Sequence, residues 1–121
     1  MPSTTETGRW AEQQVANLIV RRGGVILAQN WRTRWSEIDI VATGRYGIRF
    51  IEVKYRRSTL YGSGFEAILP DKRQRLVRAA RAWLMINGRS DGWAIDVVSV
   101  FGSTKQFEIE YMANAIQGDT L

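Results

Sequence analysis

The chain contains neither cysteine nor histidine among its 121 residues. The lack of cysteine excludes disulfide bridges and thiolate metal sites. The lack of histidine excludes imidazole ligands, so any bound metal must be held by oxygen atoms. Oxygen ligands favour Mg²⁺, Mn²⁺ or Ca²⁺ over zinc.

Long apolar runs are also missing. No stretch of the sequence approaches the roughly 18 apolar residues that a membrane-spanning helix needs. Residues 1–9 lack the apolar segment of a secretory signal peptide. The sequence therefore predicts no membrane segment, and the expected location is the cytoplasm.

The positive charge is abundant but unevenly placed. Residues 1–90 hold 16 basic and 7 acidic side chains, whereas residues 91–121 hold one lysine and five acids. Arginine supplies 14 of the 17 basic residues. This asymmetry is typical of a phosphate-facing surface, but an ordinary solvated surface from an arginine-rich genome would look the same.

Hydrophobic periodicity predicts one α/β domain over residues 9–121, preceded by a polar and disordered segment at 1–8. A glycine-rich loop is expected at 61–64. The predicted elements are helices at 9–22 and 71–87 and strands at 25–34, 37–43, 48–56, 93–101 and 107–111. Their order, α-β-β-β-α-β-β, predicts a mixed central sheet flanked by helices.

Two of these strands are separated by the four-residue loop 44–47, which predicts a β-hairpin. In that register Asp39 lies opposite Glu52 and Glu37 lies opposite Lys54, with all four side chains on one face. Like charges placed opposite each other destabilise a sheet, and a divalent cation would relieve the repulsion. A salt-bridge ladder between Lys54 and the acids on a wet face is the alternative, and both remain open.

The helices add further charged candidates. Glu12 falls within the apolar stripe of the first helix, where it would be a metal ligand or the partner of a basic side chain. Lys72 lies on the core-side edge of the second helix in its first turn, where it is expected to point toward the hairpin cluster. The positive end of the helix dipole lies there too and favours a phosphate. Arg75 and Arg78 lie on the opposite face, which is either solvated or in contact with a phosphate backbone.

Five tryptophans are many for a chain of this length. Trp83 lies in the apolar stripe of the second helix and is expected in the core. The others are Trp10, Trp31, Trp35 and Trp93, and most are expected in the core as well. A base-stacking surface that includes some of them is the alternative.

Asp39, twelve intervening residues and then Glu52-Val53-Lys54 resemble the PD-(D/E)xK signature of restriction-endonuclease-like nucleases. The surrounding segments are more specific than that loose signature. They read, in order, Gly8-Arg9-Trp10-Ala11-Glu12, Gln29-Asn30-Trp31-Arg32, Ser36-Glu37-Ile38-Asp39, Phe50-Ile51-Glu52-Val53-Lys54-Tyr55-Arg56, Lys72-Arg73-Gln74-Arg75-Leu76, Ile95-Asp96-Val97-Val98 and Asn114-Ala115. Over nearly the whole chain, they resemble the YraN family of predicted endonuclease-like proteins.

The resemblance implies a restriction-endonuclease-like fold, similar to that of archaeal Holliday-junction resolvases. By motif position it implies that Asp39 and Glu52 bind Mg²⁺ or Mn²⁺, that Lys54 is the catalytic lysine and that Glu12 is a helix-borne acid at the metal. Glu37 matches a family acid whose role is less settled. The chain also departs from the family pattern twice, because Ser36 replaces a glycine and Ala94 replaces an arginine.

The leading functional expectation is a metal-dependent nuclease that acts on DNA. Its metal ligands would be Asp39, Glu52 and Glu12, and its arginine-rich surface would hold the DNA backbone without reading the sequence. The residues expected to bind nucleic acid are Lys72, Arg75, Arg56 and Arg78. The alternatives are a catalytically weak nucleic-acid-binding module and a basic protein-interaction domain. Assembly into a homodimer is a further expectation.

Overall fold

The computed structural model describes residues 4–45, 47–57 and 70–116. These residues form helices α1 (Thr4–Arg21) and α2 (Pro70–Ile86) and strands β1 (Val25–Arg32), β2 (Glu37–Gly44), β3 (Gly47–Arg56), β4 (Trp93–Gly102) and β5 (Phe107–Ile116). The predicted mixed α/β architecture is confirmed. Helix α1 begins five residues before its predicted start, so residues 4–8, expected to be disordered, are helical. The loop predicted at 61–64 lies outside the described residues.

The five strands form one sheet in the order β1-β2-β3-β4-β5. Neighbouring strands are antiparallel except for β3 and β4, which are parallel. Parallel neighbours need a crossover connection, and helix α2 lies in the segment that joins them. Strand β5 is a sheet edge, and most of its residues are exposed.

Each helix covers one face of the sheet. Helix α1 buries Ala11, Val15 and Ala16 against an apolar set on the first face, which includes Ile40 and Ile51. Helix α2 covers the second face. Its buried residues are Leu76, Val77, Ala79, Ala80, Trp83 and Leu84, which pack against strand residues that include Phe50 and Val97. The sheet therefore lies between two separate apolar cores.

Glycine ends both helices. Gly23 has a positive φ of 88°, and the amides of Gly23 and Gly24 donate to the carbonyls of Val20 and Ile19 at 3.0 and 2.9 Å. This pair of hydrogen bonds is a Schellman motif, which needs a left-handed residue at its turn. Gly88, with φ 61°, follows α2 in the same way.

A buried carboxylate joins β3, β4 and β5. Asp96 is fully buried and accepts two hydrogen bonds from the Arg49 guanidinium, at 2.8 and 2.9 Å. It also accepts one from the Tyr111 hydroxyl and one from the Asn114 amide at 2.7 Å. Every partner of this acid is a donor, so the charge of Asp96 is compensated inside the fold.

The predicted hairpin register is confirmed from Gly44–Gly47 to Ile40–Ile51. Beyond that last pair, the two strands separate. Strand β2 continues along β1 to the pair Arg32–Glu37, and β3 continues along β4 to the pair Arg56–Phe101. We call this separation point the strand fork. The predicted pairs Asp39–Glu52 and Glu37–Lys54 are wrong, because the ladder between β2 and β3 ends before it reaches them.

Candidate active site: an acidic cluster at the strand fork

Asp39 and Glu52 lie one residue beyond the last backbone pair of the hairpin. At this position a side chain replaces the backbone as hydrogen-bond acceptor. The Oδ2 atom of Asp39 accepts a hydrogen bond from the Val53 amide at 2.8 Å. The carboxyl group of Asp39 thereby spans the strand fork. The two acids that the sequence placed opposite each other are thus the first residues on each side of the separation.

Glu52 belongs to the α2 side of the fork. Its side chain is 8% exposed, and its Oε1 atom lies 2.9 Å from the Lys72 Nζ atom. A buried carboxylate needs such a cation, since an unpaired charge in an apolar interior is costly. Lys72 was predicted to contact nucleic acid, and the structure pairs it with Glu52.

The Asp39 side chain lines a pocket of about 430 Å³, together with residues of α1, β1 and β2. The residues that line it are Gly8, Arg9, Glu12, Asn30, Arg32, Glu37 and Asp39. The regular alternation of side chains is interrupted near Asp39, because Ile38 and Val41 both pack in the α2-side core although three positions separate them. The acids therefore reach the fork from both faces of the sheet, and the prediction that all lie on one face is wrong.

Asn30 joins two of the acids in this pocket. In the amide orientation that satisfies its neighbours, its nitrogen donates to Glu37 Oε1 at 2.9 Å and to Glu12 Oε1 at 3.0 Å. The other oxygen of Glu37 pairs with Arg32 at 3.0 Å. Sequence reasoning gave Asn30 no role. Its φ of 51° is one that asparagine adopts more readily than most residues, and an asparagine inside a predicted strand was the available signal.

The acids at the fork perturb one another. Burial, and then the nearby charge of Glu52, raise the pKa of Asp39 to about 8, against the effect of the Val53 hydrogen bond. Burial also raises the pKa of Glu12, with the charges of Glu37 and Glu52 acting in the same direction. Asp39 is therefore protonated in part at neutral pH. Such a raised pKa indicates a site at which a cation would stabilise the ionised form.

Lys54 lies two positions after Glu52 on β3 and is half-buried. Burial lowers the pKa of Lys54, and the positive charge of Lys72 lowers it further, whereas Glu52 and Asp39 oppose the shift. Lys54 is thus close enough to Glu52 and Asp39 for both charges to affect its pKa. The catalytic role of Lys54 stays a prediction.

Within the described ranges, no three acidic side chains converge closely enough to form a complete metal cage. A full cage is not what Mg²⁺ requires, because this ion commonly keeps several waters and uses one or two protein carboxylates. The donor atoms at the fork are all oxygens, and the chain offers no sulfur or imidazole ligand. The donor atoms are therefore of the kind that a hydrated hard cation binds.

The predicted basic residues occupy different surroundings. Arg56 and Arg75 are exposed, at the end of β3 and on α2. Arg78 is also exposed, but its guanidinium carbon lies 5.6 Å from the ring centre of Trp35.

Ser36 stands where the resemblance expects glycine, and its φ is not positive. Among the described non-glycine residues, only Asn30 and Asn114 have a positive φ. The replacement therefore leaves the backbone beside Asp39 unstrained.

These observations define a class: an α/β protein with an acidic cluster where two strands of a mixed sheet separate. The chain belongs to the UPF0102 family, described as an uncharacterised protein family, whose model matches residues 11–100. This membership confirms the resemblance that the sequence motifs carried.

Relatives of similar length support the assignment. The UPF0102 protein of Herpetosiphon aurantiacus is 35% identical over 109 residues, which cover 86% of this chain and 88% of the relative. That of Desulforapulum autotrophicum is 38% identical over 113 residues, covering 93% of each chain. That of Vibrio cholerae is 30% identical over 112 residues, covering 90% of each. In the described parts of the chain, neither helix is long and apolar enough to cross a membrane.

Proposed function

We propose that this protein is a metal-dependent nuclease that hydrolyses phosphodiester bonds in DNA on a restriction-endonuclease-like fold. The observation that carries the proposal is the pair Asp39 and Glu52 at the strand fork, where burial and then the charge of Glu52 raise the pKa of Asp39 to about 8. A divalent cation would bind both carboxylates and relieve their repulsion.

Asp39 and Glu52 would hold Mg²⁺ or Mn²⁺, with Glu12 as the acid that α1 contributes. Bound there, the ion would lower the pKa of a water molecule and neutralise charge on the scissile phosphate. Lys54 would donate a hydrogen bond to a phosphate oxygen as negative charge develops on it. The exposed guanidinium groups of Arg56 and Arg75 would bind the DNA backbone without reading its sequence.

A second candidate is a nucleic-acid-binding module with little or no catalysis. The ion pair between Lys72 Nζ and Glu52 Oε1, at 2.9 Å, supports it, because Glu52 already has a cation. Under this alternative the fork is a structural salt bridge and the basic surface alone has a function. The two candidates share DNA binding and differ in whether a metal is needed.

One assay separates them. Labelled duplex, branched and single-stranded DNA, and RNA, are incubated with the protein in Mg²⁺, Mn²⁺ or EDTA. The nuclease proposal expects metal-dependent cleavage of a DNA substrate that falls at least 100-fold in Asp39→Asn, Glu52→Gln and Lys54→Met, while DNA binding persists. Asp91→Asn, an exposed acid paired with Arg89, is the matched control and should cleave like wild type.

Each other result has a distinct meaning. Binding without cleavage in any metal would favour the binding module. Cleavage that survives in all three variants, or in EDTA, would show that the strand fork is not the active site. A preference for RNA over every DNA substrate would contradict the proposed substrate class.

A further inference from the structure

Trp35 lies in the turn between β1 and β2 and has two arginine neighbours. The guanidinium carbon of Arg34 lies 5.3 Å from the centre of its ring, and that of Arg78 lies 5.6 Å away. Both distances fall within the range of a cation–π interaction. We call these three residues the arginine clamp.

The clamp places two positive charges on one aromatic ring at the protein surface. Arg34 and Arg78 are exposed, while Trp35 is half-buried. Two guanidinium groups near one ring repel each other, and the ring holds side chains that would otherwise sample many rotamers. An anion between or above them would relieve that repulsion, and a guanidinium stacked on an aromatic ring still presents its N–H donors at its edge. The chemistry of the clamp is complementary to a phosphate group.

The clamp lies at the same end of the sheet as the strand fork. Trp35 is two residues before Glu37, where β2 starts. On α2, Arg78 is six residues after Lys72, whose Nζ atom contacts Glu52. Six residues of helix correspond to about 9 Å along its axis.

We propose that the arginine clamp binds the DNA backbone next to the strand fork, and that Trp35 positions both guanidinium groups for it. This inference rests on the proposed function, because it assigns the phosphate contacts of the same substrate. Trp35 is a positioning residue here and makes no base contact. Its removal should weaken DNA binding although the net charge of the protein does not change.

The test compares a charge-neutral variant with charge-removing ones. Binding of a labelled 30-base-pair duplex is measured in EDTA at several salt concentrations for wild type, Trp35→Leu, Arg78→Gln and Arg21→Ala. We expect about a 5- to 10-fold loss of affinity in Trp35→Leu and in Arg78→Gln. The slope of the logarithm of affinity against the logarithm of salt should become shallower by about 1 in Arg78→Gln and by up to about 2 in Trp35→Leu, because one phosphate contact corresponds to about 0.9 of slope and Trp35 positions two guanidinium groups.

Arg21→Ala is the matched control. It removes the same charge as Arg78→Gln, but Arg21 ends α1 beside the hairpin end of the sheet, away from the fork. Its affinity should change less than twofold. Thermal melts accompany each binding curve, and Arg78→Gln, on an exposed helix face, still tests the clamp if Trp35→Leu fails to fold.

The outcomes are distinct. Wild-type binding with unchanged affinity and slope in both Trp35→Leu and Arg78→Gln would overturn the clamp and leave DNA binding standing. Equal losses in Arg21→Ala and Arg78→Gln would overturn it too, because charge alone would then explain binding. Absence of duplex binding by wild type at low salt would overturn the proposed function, and the clamp with it.

Discussion

The raised pKa of Asp39 predicts how the stability of this protein depends on pH. The pKa of its carboxyl group is about 8 in the folded protein, but about 3.9 in an unfolded chain. Between these values the folded protein holds a proton that the unfolded chain has released. The free energy of unfolding must therefore fall as the pH rises through this window. The opposite holds for a carboxylate whose pKa is depressed by folding.

The size of the effect follows from one proton. An uptake of one proton on folding corresponds to about 1.4 kcal/mol of unfolding free energy per pH unit. We expect wild type to lose about 2 kcal/mol between pH 5.5 and pH 7. The chain has no histidine, so no imidazole titrates in that range. Asp39→Asn keeps a side-chain oxygen that can accept the Val53 hydrogen bond and removes the charge.

Urea unfolding at four values of pH, in EDTA, measures this difference. The Asp39→Asn variant should show a clearly shallower profile between pH 5.5 and pH 7, because only Glu12, whose pKa is also raised, then contributes to the slope in the same direction. It should be more stable than wild type at pH 7. Asp91→Asn is the control, because the Arg89 guanidinium lowers the pKa of Asp91 and its titration lies below the window. Parallel profiles for wild type and Asp39→Asn would refute the reasoning and, with it, the repulsion that the metal proposal invokes.

Two further predictions test other charges. Lys72→Met leaves Glu52 buried without its cation, so the apoprotein should lose about 1–3 kcal/mol at pH 7, and Mn²⁺ should raise its melting temperature more than that of wild type. A metal-induced shift no larger than in wild type would show that Lys72 does not compete with a cation. Asp96→Asn should cost about 3–5 kcal/mol in urea unfolding because Arg49 loses its buried partner. Tyr111→Phe should cost about 1 kcal/mol, and equal costs for the two variants would contradict this account.

Much of the fold follows from local patterns in the sequence. The apolar stripe around Val15 specifies the face that α1 buries, and the glycines at 23 and 88 specify where the helices end. The loop at 44–47 fixed the hairpin register, because a two-strand ladder with a short turn allows few alternatives. Position 46 lies outside the described residues, but the pairs on either side of it establish that register.

The strand fork could not be predicted in this way. From the sequence, β2 and β3 are expected to stay paired for as long as both strands continue, as if neither had another neighbour. In the sheet, β2 also pairs with β1 as far as Glu37, and β3 also pairs with β4 as far as Arg56. The twist of adjacent strands accumulates across a sheet, so each strand follows its outer neighbour beyond the Ile40–Ile51 pair. A local sequence pattern does not reveal these long-range partners.

Lys72 was predicted to point toward the hairpin cluster, and its contact with Glu52 confirms that placement. Phe50 packs in the α2-side core, so strand alternation turns Glu52 toward α2 as well, and Lys72 reaches its carboxylate. A helix position that looks like a phosphate-binding edge in the sequence is therefore occupied by an internal ion pair. The phosphate contact of Lys72 stays a prediction.

The fork also sorts charge between the two faces of the sheet. Glu12, Glu37 and Asp39 line the pocket on the α1 side, whereas the cation nearest to Glu52 comes from α2. A flat hairpin would present both signs of charge on one surface, where they would neutralise each other. The separated strands instead place three acids and two arginines, Arg9 and Arg32, in a pocket on one side, and Lys72 of α2 on the other. The Asp39 carboxyl, hydrogen-bonded to the Val53 amide, lies between them.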